Sequence, residues 1–334
     1  MTTSQPLSST SLTSTSLTRR HALGLGLGAA VGLLPLGRAR AAIPAGAVLK
    51  VGDQKGGVQS VIEAAGLLSD LPYRIEWSQF PAAAPLLEAL NAGAIEVGYA
   101  GDAPTTFALA AGASAKIIGA VRSNPQSTTI LVPGASPIRS VADLKGKTIG
   151  TGRGSIGHYL VLAALKANGL KPDDVKIAFL LPSDAKSALA AGSIDAWSSW
   201  GIYVSQALLV DGARAVVTGT GLMSGLSYQT ATLEAIAAKR EALSDLIRRF
   251  AAARLWALEN SDAYAAIWAK TVGIDPAIAR HTFGVERARP VALDASVIAD
   301  QQATADVWRE FGIIPKRLDA AAIFDPGFNS ALPT

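Results

Sequence analysis

The segment Ala89-Leu90-Asn91-Ala92-Gly93-Ala94-Ile95-Glu96-Val97 is echoed by Ala188-Leu189-Ala190-Ala191-Gly192-Ser193-Ile194-Asp195-Ala196. Each copy reads as the end of a helix, a glycine that stops it and a short strand. Around both copies, strand-like runs (48–51, 73–77, 95–99, 130–132, 148–151, 175–180, 196–199, 215–218) alternate with helix-like ones (59–69, 85–92, 158–168, 184–191). That is the pattern of an α/β protein with mainly parallel strands. A unit used twice implies two matched lobes with a cleft between them, and strand ends facing such a crevice are where α/β proteins bind ligands. After about Ser227 the character changes to long helices, with apolar stripes over 239–260 and 295–311.

The N-terminus does not belong to this pattern. Residues 1–41 are rich in Ser and Thr, then give Arg19-Arg20, an apolar run from Ala22 to Leu36 and the small-residue signal Ala39-Arg40-Ala41. This layout predicts an export peptide of the twin-arginine type, cleaved near Ala41. The apolar run is too short and glycine-rich for a membrane span. A periplasmic mature protein is expected.

Removing the leader changes the charge argument. The whole chain holds 30 Lys and Arg against 26 Asp and Glu; four of the arginines and none of the acids lie in 1–41, so the remainder is balanced at 26 each. A neutral chain without a basic cluster excludes nucleic acid and an acidic membrane surface as partners. The chain has no cysteine, which removes disulfides, a thiolate nucleophile and cysteine metal sites. No H-E-x-x-H, EF-hand or G-x-S-x-G pattern is present, so neither metal ligation nor hydrolysis is expected.

Chemistry concentrates at turns between strands and helices. The turn Gly150-Thr151-Gly152-Arg153-Gly154-Ser155-Ile156-Gly157-His158 feeds a helix N-terminus, where unpaired N–H groups and the helix dipole favour an anion. It contains G-x-G-x-x-G, but the ribose-binding acid expected about twenty residues on is missing, since Asp173 and Asp174 precede the next strand. An anion cradle using Gly154, Ser155 and His158 is the better reading, and no cofactor is expected. Helix starts after Gly52-Asp53-Gln54, at Gly101-Asp102-Ala103-Pro104-Thr105 and at Asn124 to Thr129 add Gln54, Asp102, Thr105 and Ser127. The aromatic cluster Trp197-Ser198-Ser199-Trp200-Gly201-Ile202-Tyr203 suggests a wall for an apolar ligand tail.

Leu49-Lys50-Val51-Gly52 with Gln54-Lys55-Gly56, Gly101-Asp102-Ala103-Pro104, Ser140 to Lys147, Asp195-Ala196-Trp197 with Trp200, and Gly312-Ile313-Ile314-Pro315-Lys316 resemble the aliphatic sulfonate-binding proteins, relatives of taurine and nitrate binders. The resemblance implies a type II periplasmic binding protein. Its two α/β lobes, each a mainly parallel sheet flanked by helices, are joined by two crossover strands. The expected division is 42–128 and 227–334 for lobe I and 129–226 for lobe II. It also implies capture of an organosulfonate, aliphatic or aromatic, for sulfur acquisition, by a monomer that serves an ABC permease and its ATPase without catalysis. Gln54, Asp102, Gly154, Ser155, His158, Trp197, Trp200 and Tyr228 are the positions implied for the ligand, with Tyr203 completing the tail pocket. Two departures stand out: Asp53 replaces an uncharged residue, and Gly201-Ile202 replaces Asp-Pro. Related cargoes (taurine, nitrate, a sulfate ester, a thiamine precursor) and a periplasmic nucleotide-dependent oxidoreductase are the alternative readings. A sulfonate is fully ionised and offers three acceptor oxygens, so neutral N–H and O–H donors can serve it and no buried arginine is required.

Overall fold

The computed structural model describes residues 43–44 and 46–333; the leader expected at 1–41 lies outside them. The first run is β1 (Val48–Gln54), α1 (Val58–Ala64), β2 (Arg74–Phe80), α2 (Ala83–Asn91), β3 (Val97–Gly101), α3 (Asp102–Ala110) and β4 (Ala115–Arg122). A second sheet takes β5 (Thr128–Pro133), β6 (Thr148–Thr151), α4 (Ile156–Ala167), β7 (Lys176–Phe179), α5 (Pro182–Ala190), β8 (Ala196–Trp200), α6 (Gly201–Leu209) and β9 (Ala213–Thr218). The chain returns through β10 (Leu226–Thr232), α7 (Leu233–Glu259), α8 (Ser261–Val272), α9 (Pro276–Glu286), β11 (Arg289–Val291) and α10 (Ala295–Glu310).

The first sheet has the order β11-β4-β10-β3-β1-β2 and the second β7-β6-β8-β5-β9. Both are mixed. The βα repeats supply the parallel half of each (β1 with β2 and β3; β6 with β7 and β8). The strand arriving from the other sheet inserts antiparallel: β10 between β3 and β4, and β5 between β8 and β9. The repeated sequence builds equivalent corners. Gly93 and Gly192 take φ 71° and 69°, and their N–H groups close onto Leu90 and Leu189 carbonyls at the ends of α2 and α5.

Two segments, 123–127 and 219–225, run side by side between the sheets. Ser123 N–H donates to the Gly225 carbonyl (2.8 Å), and Gly219 N–H donates to that of Thr128 (2.8 Å). Gly225 sits at φ 72°, and a Cβ there would lie 2.1 Å from the Ser123 carbonyl oxygen, so only glycine lets the two crossings touch.

The helical tail begins earlier than the sequence indicates. α7 starts at Leu233 with Thr232 as its N-cap, its hydroxyl accepting the Ala235 N–H at 3.1 Å, and it kinks at Lys239 (φ −134°). Beyond the kink, Leu243, Leu246, Ile247 and Phe250 pack against Leu49, Val51, Val61 and Ile62 to form the largest core. Loss of the cap in Thr232→Ala is expected to cost about 1 kcal/mol, read as a lower urea midpoint at unchanged m-value.

Candidate functional site

A cleft with about 1190 Å³ of space lies between the sheets. Much of its wall comes from strand ends and helix starts, as the fold class requires, with Arg254, Trp268 and Glu286 added from α7, α8 and α9. Of the residues singled out in the sequence, Gln54, Asp102, Ser127, Ser155, Trp200 and Tyr203 line it.

The other five lie behind the wall, each for a local reason. Trp197 and Trp200 are three apart on β8 and so face opposite sides of the sheet; Trp197, 2% exposed, packs with Leu131, Leu189 and Val204. Tyr228 is fully buried on the face of β10 opposite Ser227, edge-on to Phe324 at 5.7 Å, while Ser227 takes the cleft position. Thr105 is buried inside the first turn of α3. Gly154, at φ 67°, leans on the Phe107 ring and gives its N–H to Nδ1 of His158 at 3.2 Å. His158, read from the sequence as a donor to the anion, is therefore an acceptor inside the lobe, between Phe179 and Trp308. Burial, with the Arg153 charge nearby, pushes its pKa down to about 4, so the ring is neutral at physiological pH.

The helix starts differ in what they leave for a ligand. At α4, Ser155 is the N-cap, accepting the His158 N–H at 3.1 Å, and it lines the cleft with Ile156. The other three starts carry the protein's own carboxylates. Asp53 bends under α1, accepting N–H bonds from Gln54, Val58 and Gln59, each at 2.9 Å. A Cβ on Gly57 would stand 2.2 Å from its Oδ1, so that glycine makes room for the acid. Burial drives Asp53 up to about 6 in spite of those bonds and the Arg254 charge. Asp53 is thus a buried helix cap and does not line the cleft. Asp102 accepts the Ala103 N–H (2.7 Å) and the hydroxyls of Ser224 (2.5 Å) and Thr304 (3.3 Å); burial raises its pKa as well. At α6, Gly201 has φ 54°, and a Cβ there would meet Oε1 of Glu286 at 3.1 Å. The start of α6 thus faces a carboxylate supplied by α9.

The sequence reading missed Arg254 and Glu286. Two arginines of α7 are buried, and they contrast. Arg249 is saturated: Nε binds Asp245 at 2.6 Å, and one terminal nitrogen binds Asp70 at 2.5 Å and the Leu67 carbonyl at 2.8 Å. Arg254, 5% exposed and in the cleft wall, has an Nε without a hydrogen-bond partner. Among the described residues it makes no ion pair. Burial opposes its charge, but Tyr99, Tyr264, Glu286 and Asp53 act through space to hold its pKa above the usual arginine value. A buried guanidinium with unfilled donors is costly, and an oxyanion in the cleft would fill them. The sequence signal was an arginine at an apolar stripe position, four after Phe250 and three before Ala257.

Residues 79–262 match the NMT1/THI5 like family. A protein of Escherichia coli (strain K12) named for binding aliphatic sulfonates is 36% identical over 275 residues, covering 81% of this chain and 86% of that one. The alkanesulfonate-binding protein SsuA of Xanthomonas axonopodis pv. citri, solved bound to MOPS, superposes with a TM-score of 0.77 at 34% identity, over 85% of this chain and 99% of its own. The periplasmic aliphatic sulphonate binding protein SsuA of Escherichia coli gives 0.75 at 34% identity, over 83% and 97%. On this identity and coverage, the chain belongs to the aliphatic sulfonate-binding proteins of the NMT1/THI5 like family.

Proposed function

We propose that the protein is exported to the periplasm, captures an organosulfonate in the interlobe cleft and hands it to the permease of an ABC importer without transforming it. Among the described residues no helix is long and apolar enough to cross a membrane, which fits a binding component that works beside a separate permease. The observation that carries the reading is Arg254, a buried cation with free donors in the wall that Ser155 and the start of α4 share.

A sulfonate is ionised throughout the physiological range and offers three acceptor oxygens. Charge-assisted hydrogen bonds of about 1.5 to 3 kcal/mol each, with a helix-dipole contribution of up to about 2 kcal/mol from α4, suffice after costs for the roughly 8 kcal/mol of micromolar binding. The aromatic wall of Trp200 and Tyr203, whose rings meet edge to face at 6.2 Å, then selects the tail.

Isothermal titration calorimetry with short, long and aryl sulfonates is expected to give micromolar or tighter binding for at least one of them. Tight binding of nitrate or a thiamine precursor with no response to any sulfonate would overturn the reading. A nicotinamide or flavin absorbance band in the purified protein would instead favour an oxidoreductase.

A further inference from the structure

Besides the two crossings, helix contacts join the halves of the chain. α6 runs from β8 to β9 of the second sheet, and α9 runs from α8 to β11, which pairs with β4 of the first. Where α6 meets α9 the contact is both polar and apolar. Thr282 of α9 shares its hydroxyl proton between Ser205 Oγ of α6 (2.7 Å) and the Ile278 carbonyl (2.8 Å), and Ser205 Oγ also stands 2.9 Å from Nδ1 of His281. Ser205 and Thr282 are both buried. One turn earlier on α6, Ile202 packs against the core that Ala279 and Phe283 of α9 share with Tyr264 and Trp268 of α8.

This contact lies beside the first crossing. The Asn124 N–H donates to the Glu286 carbonyl at the end of α9 (2.9 Å), and Gln126 and Ser127 line a small pocket together with Ser205, His281 and Thr282. A matching contact flanks the second crossing. There Tyr159 and Leu162 of α4 pack around the fully buried Trp308 of α10, whose indole N–H donates to the Ala103 carbonyl of α3 (3.1 Å). Met223 of that crossing packs on the same cluster.

Capture of a ligand between two lobes requires them to part and close by rotation. A hydrogen bond is lost once its heavy atoms separate beyond about 3.5 Å, and a buried hydroxyl left without a partner is costly. Parting α6 from α9 would strand the Ser205 hydroxyl and draw Ile202 out of its core. Atoms on the axis of a rotation move least, so a contact of this kind persists through the motion only if it lies there.

We propose that α6 and α9 form a pivot: they stay packed whether the cleft is open or closed, and the lobes turn about a line through this contact and the Trp308 cluster. Ser205, His281 and Thr282 do not line the cleft, so the pivot is separate from the ligand site and does not depend on which anion is bound.

The chain has no cysteine, so the pair Ser205→Cys and Thr282→Cys supplies its only thiols, at positions whose side-chain oxygens lie 2.7 Å apart. Oxidation of the ligand-free protein by copper phenanthroline is expected to crosslink the pair to completion, read by thiol titration, with the single Ser205→Cys variant as the control that cannot crosslink. Small-angle X-ray scattering is expected to give the same radius of gyration for the oxidised and reduced pair without ligand. Pentanesulfonate is expected to bind both forms with affinities and association rates within about threefold of each other. Circular dichroism melting of the reduced pair confirms that it folds. A pair that stays reduced without ligand, a ligand-free protein that becomes more compact on oxidation, or a tenfold or greater loss of affinity or association rate in the oxidised form would each overturn the pivot. If pentanesulfonate binds neither form, the sulfonate reading is what fails, and the ligand-free crosslinking and scattering still decide the pivot.

Discussion

Replacing Arg254 with methionine is expected to weaken sulfonate binding by about a hundredfold or more, the loss of two charge-assisted hydrogen bonds at about 1.5 kcal/mol or more each. The effect is large because Arg254 puts a buried cation with an unfilled donor into the cleft wall. Own carboxylates stand at the starts of α1, α3 and α6, so of these helix starts the Ser155 turn at α4 is the one left to act beside the Arg254 fork. Methionine keeps an unbranched stem to lie against Phe250, so the fold should survive the change. Arg254→Lys should recover only part of the affinity, because an ammonium restores the charge but not the planar fork. Arg249→Met is the control: it breaks contacts to Asp245 and Asp70 outside the cleft, and should lower stability while leaving affinity unchanged. An Arg254→Met protein that binds within threefold of wild type in calorimetry would remove this arginine from the site.

The doubling of the α/β unit was legible because its signals are local. A helix, a left-handed glycine and a short strand need only nearest neighbours, and Gly93 and Gly192 close their turns with matching hydrogen bonds. β10 was not legible for the opposite reason. Its partners β3 and β4 lie more than a hundred residues upstream, and Gln229 and Thr230 are buried in it, so no apolar alternation marks the strand. The site divides in the same way. Turn residues such as Gln54, Asp102 and Ser155 reach the cleft because strand ends in this fold class point there. Trp197, Tyr228 and His158 sit only one to three residues from cleft positions, and strand parity or the sense of a helix turn sends them inward. Arg254 and Glu286 come from helices whose facing is set by packing against α1, α6 and α8, which no short motif records.

His158→Asn is expected to make the protein more resistant to acid, by about 2 kcal/mol at pH 5 relative to its own stability at pH 7. The sign follows from the depressed pKa. The ring titrates near 6.5 in the unfolded chain and near 4 in the folded one, because burial and then the Arg153 charge disfavour the imidazolium. Stability from the neutral ring is complete above about 6.5 and is lost as pH falls toward 4. Asp53 works in the other direction over almost the same range. Its folded pKa of about 6 against an ordinary 3.8 means that folding is penalised above 6 and relieved as the group takes up a proton on acidification. Each group is worth about 3 kcal/mol across its full window, so in the wild type the two contributions nearly cancel. Asparagine keeps an oxygen that can accept the Gly154 N–H but does not titrate. Its lost contacts with Phe179 and Trp308 lower stability equally at both pH values, so the informative quantity is the difference between pH 5 and pH 7 in urea unfolding. Parallel pH profiles for the two proteins would show that His158 does not titrate across this range in the way its burial demands.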